Sequence, residues 1–217
     1  MNIYLKEPEQ KAKACVIWMH GLGADASDMA GLASELSLNG LPVRHVFIDA
    51  PTRPVTLNNG LVMRAWYDIV GLTLTDREDE VGIAQSEKII RQIVDDQLKD
   101  GFSSDQIFLA GFSQGGAMAL YTALQMESPL AGVIVLSGYL PLASKSQTTM
   151  PQNTPVFIAG GQYDPIVLPM WTALAVEWLK QSGYKAVSLH TYLMEHTICM
   201  DELNDLSIWL TNQVRSA

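Results

Sequence analysis

The amino-acid sequence is poor in cysteine, poor in positive charge and without long apolar runs. Its 217 residues include two cysteines, Cys15 and Cys199, which are too few for a disulfide framework and lack metal-type pairing. Fourteen lysines and arginines against 23 aspartates and glutamates give a formal net charge of -9, which disfavours nucleic acid and anionic membranes as partners. No apolar run reaches the roughly 18 residues that cross a bilayer. We therefore expect no nucleic-acid partner and no transmembrane segment.

The first residues, MNIYLKEPEQ, have a charged start but no apolar core or cleavage site of a secretion signal. This pattern predicts a cytoplasmic protein. Cys199 lies three residues after His196, but nothing around it builds a turn that would present the sulfur, so we expect a partly buried thiol rather than a nucleophile.

Apolar runs rich in β-branched residues alternate with helical patterns along the chain. The runs are mostly continuous, as in strands covered on both faces of a parallel sheet. They occupy residues 14–19, 43–48, 106–110, 131–137, 154–159 and 186–193. Helical periodicity occupies residues 27–39, 80–99, 114–126, 169–182 and 200–214. This alternation predicts an α/β fold with a mostly parallel central sheet flanked by helices.

The length of the chain and its 48% hydrophobic content suit one substantial core. We see no internal repeat or linker-like shift in composition, so we expect one domain over residues 1–217. Residues 49–79 follow neither pattern and exceed the usual length of a connection. We expect them to form a long loop or small subdomain that lines a substrate site.

The segment Gly-Phe-Ser-Gln-Gly, residues 111–115, joins a predicted strand to a predicted helix. Gly111 and Gly115 leave room at a sharp turn that lifts the Ser113 hydroxyl out of the sheet, and the N-terminal amides of the helix favour negative charge there. In isolation such a pentapeptide is equally well a glycine-rich turn. The strand before it and the helix after it favour a nucleophilic serine.

A serine nucleophile needs a base within hydrogen-bond reach. His196 follows the last predicted strand, in a loop at the carboxyl end of the sheet, where open α/β sheets place their sites. His45 and His190 lie within strand-like runs and are expected to be packed or edge residues. His20 is expected to hold its own loop by hydrogen bonding. We therefore assign the base to His196.

Asp164 is the best candidate for the carboxylate that orients this base. It follows a predicted strand in a loop rich in glycine and proline, although it would also suit a turn cap before Pro165. The order Ser113, Asp164, His196, each after a successive strand, is the chain order of an α/β-hydrolase triad. Three other carboxylates are too close in sequence to His196 to approach its ring, and we expect them to be solvated: Glu195, Asp201 and Glu202.

Acyl transfer also needs hydrogen-bond donors for the oxyanion. The segment His-Gly-Leu-Gly, residues 20–23, ends a predicted strand with flexible backbone. We predict that the backbone N–H groups of Leu22 and Gln114 form the oxyanion hole. Substitution of either side chain should then matter less than displacement of the backbone.

These residues together resemble the phospholipase/carboxylesterase family of α/β hydrolases, which includes acyl-protein thioesterases. The resemblance runs nearly end to end. It rests on HGLGADASD (20–28), NNGLVMRAWYDI (58–69), GFSQGGAMAL (111–120), SGYLPL (137–142), DPIV (164–167) and MEHTIC (194–199). It implies an α/β-hydrolase fold and the same roles for the triad and oxyanion residues. It also implies hydrolysis of carboxylic esters or thioesters with a medium or long acyl chain, without cofactor or metal.

The resemblance further implies that residues 49–79 line an acyl channel. Leu61, Met63, Trp66, Ile69, Leu72 and Leu74 would supply its apolar wall, with ordinary core packing as the alternative for each. Two departures from the family pattern lie near Asp164. Gly160-Gly161 replaces a His-Gly pair that many relatives have, and Leu168 stands where many have proline.

The expected substrate is a small-molecule or lipid-like ester, or an acylated protein. A lysophospholipase, peptidase or acyl-protein thioesterase on the same scaffold is the alternative within hydrolases. A catalytically silent binding protein of the same fold is the alternative outside them. Exposed apolar surface near residues 49–79 would support a homodimer.

Overall fold

The computed structural model describes residues 2–71, 73 and 77–216 of the chain. Its nine strands are β1 (Ile3–Lys6), β2 (Ala14–Met19), β3 (Val43–Ile48), β4 (Thr52–Val55), β5 (Leu61–Arg64), β6 (Ile107–Phe112), β7 (Gly132–Leu136), β8 (Val156–Gly161) and β9 (Val187–Tyr192). Its five α-helices are α1 (Ala26–Ser34), α2 (Glu80–Lys99), α3 (Gln114–Leu124), α4 (Pro169–Gln181) and α5 (Met200–Ser216).

Seven of these strands form one sheet in the order β1-β3-β2-β6-β7-β8-β9. All neighbours pair in parallel except β1, which runs antiparallel to β3. The central strands β2 and β7 are buried at every residue, which explains their continuous apolar sequences. The predicted α/β fold with a mostly parallel sheet is confirmed.

Two apolar layers cover the two faces of the sheet. Along β2, Cys15, Ile17 and Met19 belong to the layer packed against α2, α3 and α4. Ala14, Val16 and Trp18 belong to the opposite layer, with α1 and α5. Because strand side chains alternate between faces, a single unbroken apolar run serves both layers.

The helix predicted over residues 27–39 is shorter in the structure and ends at Ser34. Asn39 and Gly40 both adopt positive φ angles, 51° and 74°, which a helix does not accommodate. The backbone amide of Ser37 donates to the Ser207 hydroxyl of α5 at 3.0 Å. The chain therefore leaves the helix and reaches across to the neighbouring helix.

Residues 49–79 contain the hairpin of β4 and β5, paired in antiparallel register outside the main sheet. Asp79 ends the segment as the N-cap of α2, accepting from the backbone amide of Gly82 at 2.9 Å. The other Asp79 carboxylate oxygen accepts from the Asp68 amide at 2.9 Å. The helix start therefore also anchors the segment. Among the described residues, no helix is long and apolar enough to span a membrane.

Candidate active site

Ser113 occupies the turn between β6 and α3. Its φ and ψ of 55° and -120° lie in a region that a non-glycine residue adopts only under strain, of about 1–3 kcal/mol. A Cβ on Gly111 would lie 2.3 Å from the Gly115 carbonyl carbon, and one on Gly115 would lie 2.2 Å from the Met19 carbonyl oxygen. Both glycines are therefore required by backbone packing. The Ser113 amide donates to the Leu136 carbonyl at 2.8 Å, which fixes the turn to β7.

The structure brings Ser113, His196 and Asp164 together at the carboxyl ends of the strands. His196 Nε2 lies 2.9 Å from Ser113 Oγ, and His196 Nδ1 lies 2.7 Å from Asp164 Oδ2. The Phe112 ring packs on the imidazole, with 4.9 Å between ring centroids. A carboxylate can only accept, so Nδ1 carries the proton and Nε2 is free to accept the hydroxyl proton of Ser113.

Asp164 is 3% exposed, and its carboxylate accepts hydrogen bonds at both oxygens. Its Oδ1 accepts from the backbone amides of Ile166 and Val167 at 2.8 and 2.9 Å, and Oδ2 faces His196. The two roles considered from sequence, capping a turn and orienting a base, are thus compatible in one side chain.

Backbone contacts join the loops that carry Asp164 and His196. The Tyr163 amide donates to the Met194 carbonyl at 3.0 Å, and a Cβ on Gly161 would lie 2.4 Å from the carbonyl oxygens of Met194 and Glu195. A Cβ on Gly160 would meet only the Thr172 side chain, at 3.6 Å or more. Gly160 and Gly161 stand where many relatives have His-Gly. Of the two, Gly161 is the residue on which the close approach of the loops depends.

Leu22 and Gln114 lie beside Ser113 and line the same cavity. Gly23 adopts a φ of 75°, and its amide donates to the Arg64 carbonyl at 2.9 Å, which ties the loop after β2 to β5. This turn carries Leu22, while Gln114 begins α3 directly after the serine. The two residues predicted to supply the oxyanion hole therefore come from separate elements and line the same cavity.

Comparison with known proteins connects this geometry to a family. The sequence profile of the phospholipase/carboxylesterase family matches residues 2–213. The chain belongs to this family. Acyl-protein thioesterase 1 of Mycosarcoma maydis is 37% identical, over 92% of this chain and 91% of its own length. The protein of the same name from Neurospora crassa is 34% identical, over 93% and 87%.

The solved structure of Arabidopsis thaliana SOBER1 superposes with a TM-score of 0.86 at 28% identity, covering 93% of this chain and 99% of that one. Together with the family match, this agreement confirms the predicted α/β-hydrolase fold. As a member of the phospholipase/carboxylesterase family, the chain is a hydrolase of the carboxylesterase and acyl-thioesterase type.

The side chain of Gln114 has a structural task that its sequence position did not reveal. Its carbonyl oxygen accepts from the Trp66 amide, and its amide nitrogen donates to the Tyr67 carbonyl, both at 2.8 Å. The Trp66 indole donates to the His20 carbonyl at 2.9 Å. These bonds connect Gln114 to the loop that carries Leu22. Because these bonds hold backbone in place, substitution of the Gln114 side chain should itself displace the backbone. The expectation that side-chain substitution matters less than backbone displacement stays a prediction.

His20 holds this loop, as its sequence position predicted. Its Nε2 accepts from the Ala50 amide at 2.9 Å, so its Nδ1 carries the proton and donates to the Gly21 carbonyl at 2.7 Å. Burial lowers the pKa of His20 below its ordinary value, which keeps the ring neutral. His45 is packed against Trp18, whose indole donates to His45 Nδ1 at 3.0 Å, and His190 lies on the edge strand β9.

A cavity of about 280 Å³ opens beside Ser113. Its apolar wall comes from both sides of the site: Leu22, Leu57, Ile69, Val70, Ile166, Val167 and Trp171. Two tyrosines, Tyr67 and Tyr139, also line it. Such a chamber suits an apolar chain attached to a carbonyl at the serine.

The structure corrects the residues expected to form this wall. Trp66 is fully buried in the core and faces His20, not the cavity. Leu61 and Met63 lie on the outer strand β5, where Leu61 is 63% exposed, and neither lines the cavity. Leu72 and Leu74 fall outside the described residues, and Ile69 lies in the wall. Leu57, Ile166 and Trp171 also line the cavity and were not predicted. Leu57 lies in the segment expected to line the site and Ile166 follows Asp164 by two residues, whereas Trp171 on α4 meets the site only in the folded chain.

Glu202 also differs from expectation, since it is fully buried rather than solvated. It lies in the first turn of α5, immediately after the loop that carries His196. Burial raises the pKa of Glu202 to about 8, against a smaller opposing effect of the Cys199 amide. Its burial could have been predicted from the spacing of four that it shares with Leu206, Leu210 and Val214, all buried. Cys199 is partly buried, as predicted.

Proposed function

We propose that the protein hydrolyses carboxylic esters and acyl thioesters through a Ser113–His196–Asp164 triad and an acyl-enzyme. One observation carries the proposal: a single imidazole lies within hydrogen-bond distance of both the serine hydroxyl, at 2.9 Å, and a buried carboxylate, at 2.7 Å. That arrangement makes a weak alcohol nucleophile reactive at neutral pH.

The first half of the reaction forms the acyl-enzyme. His196 Nε2 takes the Ser113 proton as the oxygen attacks the carbonyl carbon, and Asp164 stabilises the imidazolium. The backbone amides of Leu22 and Gln114 bind the oxyanion of the tetrahedral intermediate. His196 then gives its proton to the departing alcohol or thiol. In the second half, water attacks the acyl-enzyme in the same way and releases the acid.

The cavity and the relatives support an acyl group with an apolar chain. The cavity wall is largely apolar and continuous with Ser113, so a chain on the scissile carbonyl would be removed from water. Two relatives are named acyl-protein thioesterase 1, which favours thioesters of acylated proteins as a second substrate class beside small-molecule esters.

The test combines covalent labelling with a substrate panel. We expect a fluorophosphonate probe to add one label to the wild-type protein and none to Ser113→Ala, measured by intact mass. Ser207→Ala, which alters a buried serine on α5, should still be labelled. Turnover of 4-nitrophenyl octanoate, octanoyl thioester, a lysophospholipid, a peptide amide and a palmitoylated peptide then ranks the substrate classes. A folded wild-type protein that takes no label would favour a binding role and contradict the proposal.

A further inference from the structure

Two tyrosine hydroxyls meet in the wall of the cavity. Tyr67 Oη and Tyr139 Oη lie 2.7 Å apart, and both residues line the cavity together with Ser113. Tyr67 is 3% exposed, and the Tyr139 ring packs edge-on against Trp171, with 6.0 Å between centroids. The two residues come from distant segments, one after β5 and one after β7. Their hydroxyls form a polar pair on an otherwise largely apolar surface.

The pair holds more hydrogen-bond donors than it uses. Burial raises the pKa of Tyr67 well above its ordinary value and that of Tyr139 to about 12, so both phenols keep their protons at neutral pH. One proton makes the bond between the two oxygens. The other has no acceptor within hydrogen-bond distance among the described residues.

The acidic group that interacts electrostatically with both tyrosines, Glu78, does not take this second proton. The Glu78 carboxylate also lines the cavity, but both of its oxygens accept from the Leu142 amide, at 2.9 and 3.0 Å. It forms no hydrogen bond with either tyrosine. When an apolar chain fills the cavity, a donor left there without an acceptor is unfavourable, and a ligand that supplies an oxygen relieves that cost.

From this geometry we infer that Tyr67 and Tyr139 form a hydrogen-bonding subsite that selects substrates carrying an oxygen acceptor on the chain that enters the cavity. The inference rests on the proposed hydrolase function and concerns which esters the site favours. A plain alkyl chain leaves the free hydroxyl proton unpaired. A chain with an ether, hydroxyl or keto oxygen at the right position accepts it.

The test is an oxygen scan of matched esters. The probes are 4-nitrophenyl octanoate and its analogues in which one chain methylene at a time is replaced by an ether oxygen. We expect kcat/KM to peak at one oxygen position, about 3- to 10-fold above neighbouring positions, as for one net hydrogen bond. A second series carries the oxygen in the alcohol portion of an acetate ester. The series that shows the peak tells which part of the substrate enters the cavity.

Phenylalanine variants connect the peak to the tyrosines. Tyr67→Phe and Tyr139→Phe each leave one hydroxyl with a free proton, so each should keep part of the peak. The double variant has no hydroxyl, and its scan should be flat. The readout is the ratio of kcat/KM for the best oxygen-bearing ester to kcat/KM for the plain octanoate, and this ratio should fall in the double variant to that of the neighbouring oxygen positions. Damaged packing would lower kcat/KM for both esters and leave the ratio unchanged.

Tyr184→Phe is the matched control. The Tyr184 hydroxyl donates to the Met150 carbonyl at 2.8 Å and lies outside the cavity, so its loss should leave the scan unchanged. A flat scan in both series of an active wild-type enzyme would overturn the inference and leave the proposed function standing. So would a peak that survives in the double variant. Absence of turnover on every ester would overturn both.

Discussion

The Gln114 side chain offers a direct test of how the oxyanion hole is held. Its two hydrogen bonds to Trp66 and Tyr67, followed by the Trp66 indole bond to His20, join the start of α3 to the loop after β2. The two amides proposed to bind the oxyanion lie at opposite ends of this chain of bonds. Gln114→Met keeps the length of the side chain and removes both of its bonds. We expect the two amides to lose their fixed separation.

The expected effect of Gln114→Met follows from the two backbone groups that lose their hydrogen-bond partner. The Trp66 amide and the Tyr67 carbonyl are buried, and each unsatisfied group costs about 1–3 kcal/mol. The segment can relax in part, so the free energy of unfolding should fall by about 2–4 kcal/mol. Complete loss of an oxyanion donor lowers kcat by about 10²–10³, and a displaced donor should lower it by about 10- to 100-fold. KM should change little, because the oxyanion exists only in the transition state and intermediate.

The assay separates positioning from stability. We would measure kcat and KM on 4-nitrophenyl octanoate, inhibition by an alkyl trifluoromethyl ketone that forms a tetrahedral adduct, and urea unfolding. Affinity for the ketone should fall in parallel with kcat. Gln125→Met is the control: it is the same substitution at the other end of α3, where the side chain donates to the Gln147 carbonyl at 3.0 Å at an exposed position. A Gln114→Met protein with normal kcat and lowered stability would refute the reasoning.

Three further predictions concern the nucleophile turn, the triad and α5. Ser113→Ala, His196→Ala and the double variant should lose similar factors of kcat because the parts act as a unit, and multiplicative losses would count against this. Gly115→Ala should fail to fold, since its Cβ would lie 2.2 Å from the Met19 carbonyl oxygen, and a cooperative thermal transition near that of the wild type would contradict it. Glu202, with a pKa of about 8 in the folded state against an ordinary 4.5, binds its proton more tightly when folded. Its contribution to stability is therefore present below about pH 4.5 and is lost as the pH rises through about 8. Measured by urea unfolding, the free energy of unfolding should fall less between pH 5 and pH 8 in Glu202→Gln than in the wild type. An equal fall in both proteins would exclude this explanation.

The sequence predicts elements whose signal is local. The continuous apolar run of residues 14–19 coincides with β2, because each of its residues is buried on one face or the other. The edge strand β1 escapes prediction, since all four of its residues are exposed and it pairs with β3 through its backbone. The hairpin of β4 and β5 escapes for the same reason: most of its side chains contact solvent and leave no burial pattern.

The residues of the candidate site likewise fall into those that the sequence predicts and those that it does not. Residues in local motifs, such as Ser113, could be assigned from sequence because close backbone contacts require glycine at residues 111 and 115 on either side of it. Partners that meet only in the folded chain could not. Tyr67 and Tyr139 lie far apart in sequence, and neither belongs to a motif that predicts a contact. The contacts of the Gln114 side chain could not be predicted either, because helical periodicity does not tell which groups meet the first residue of a helix.

The departure at Gly160 shows how backbone contacts let this site tolerate change. Distances within the triad depend on how closely the loop of Asp164 approaches that of His196, and main-chain atoms govern that approach through the Tyr163 amide and the space above Gly161. A side chain at residue 160 would project towards Thr172, away from those contacts. Gly160 is the position that differs from the family pattern, whereas Gly161 is the one that lets the two loops approach. The 2.7 and 2.9 Å contacts of His196 therefore do not require a histidine at residue 160.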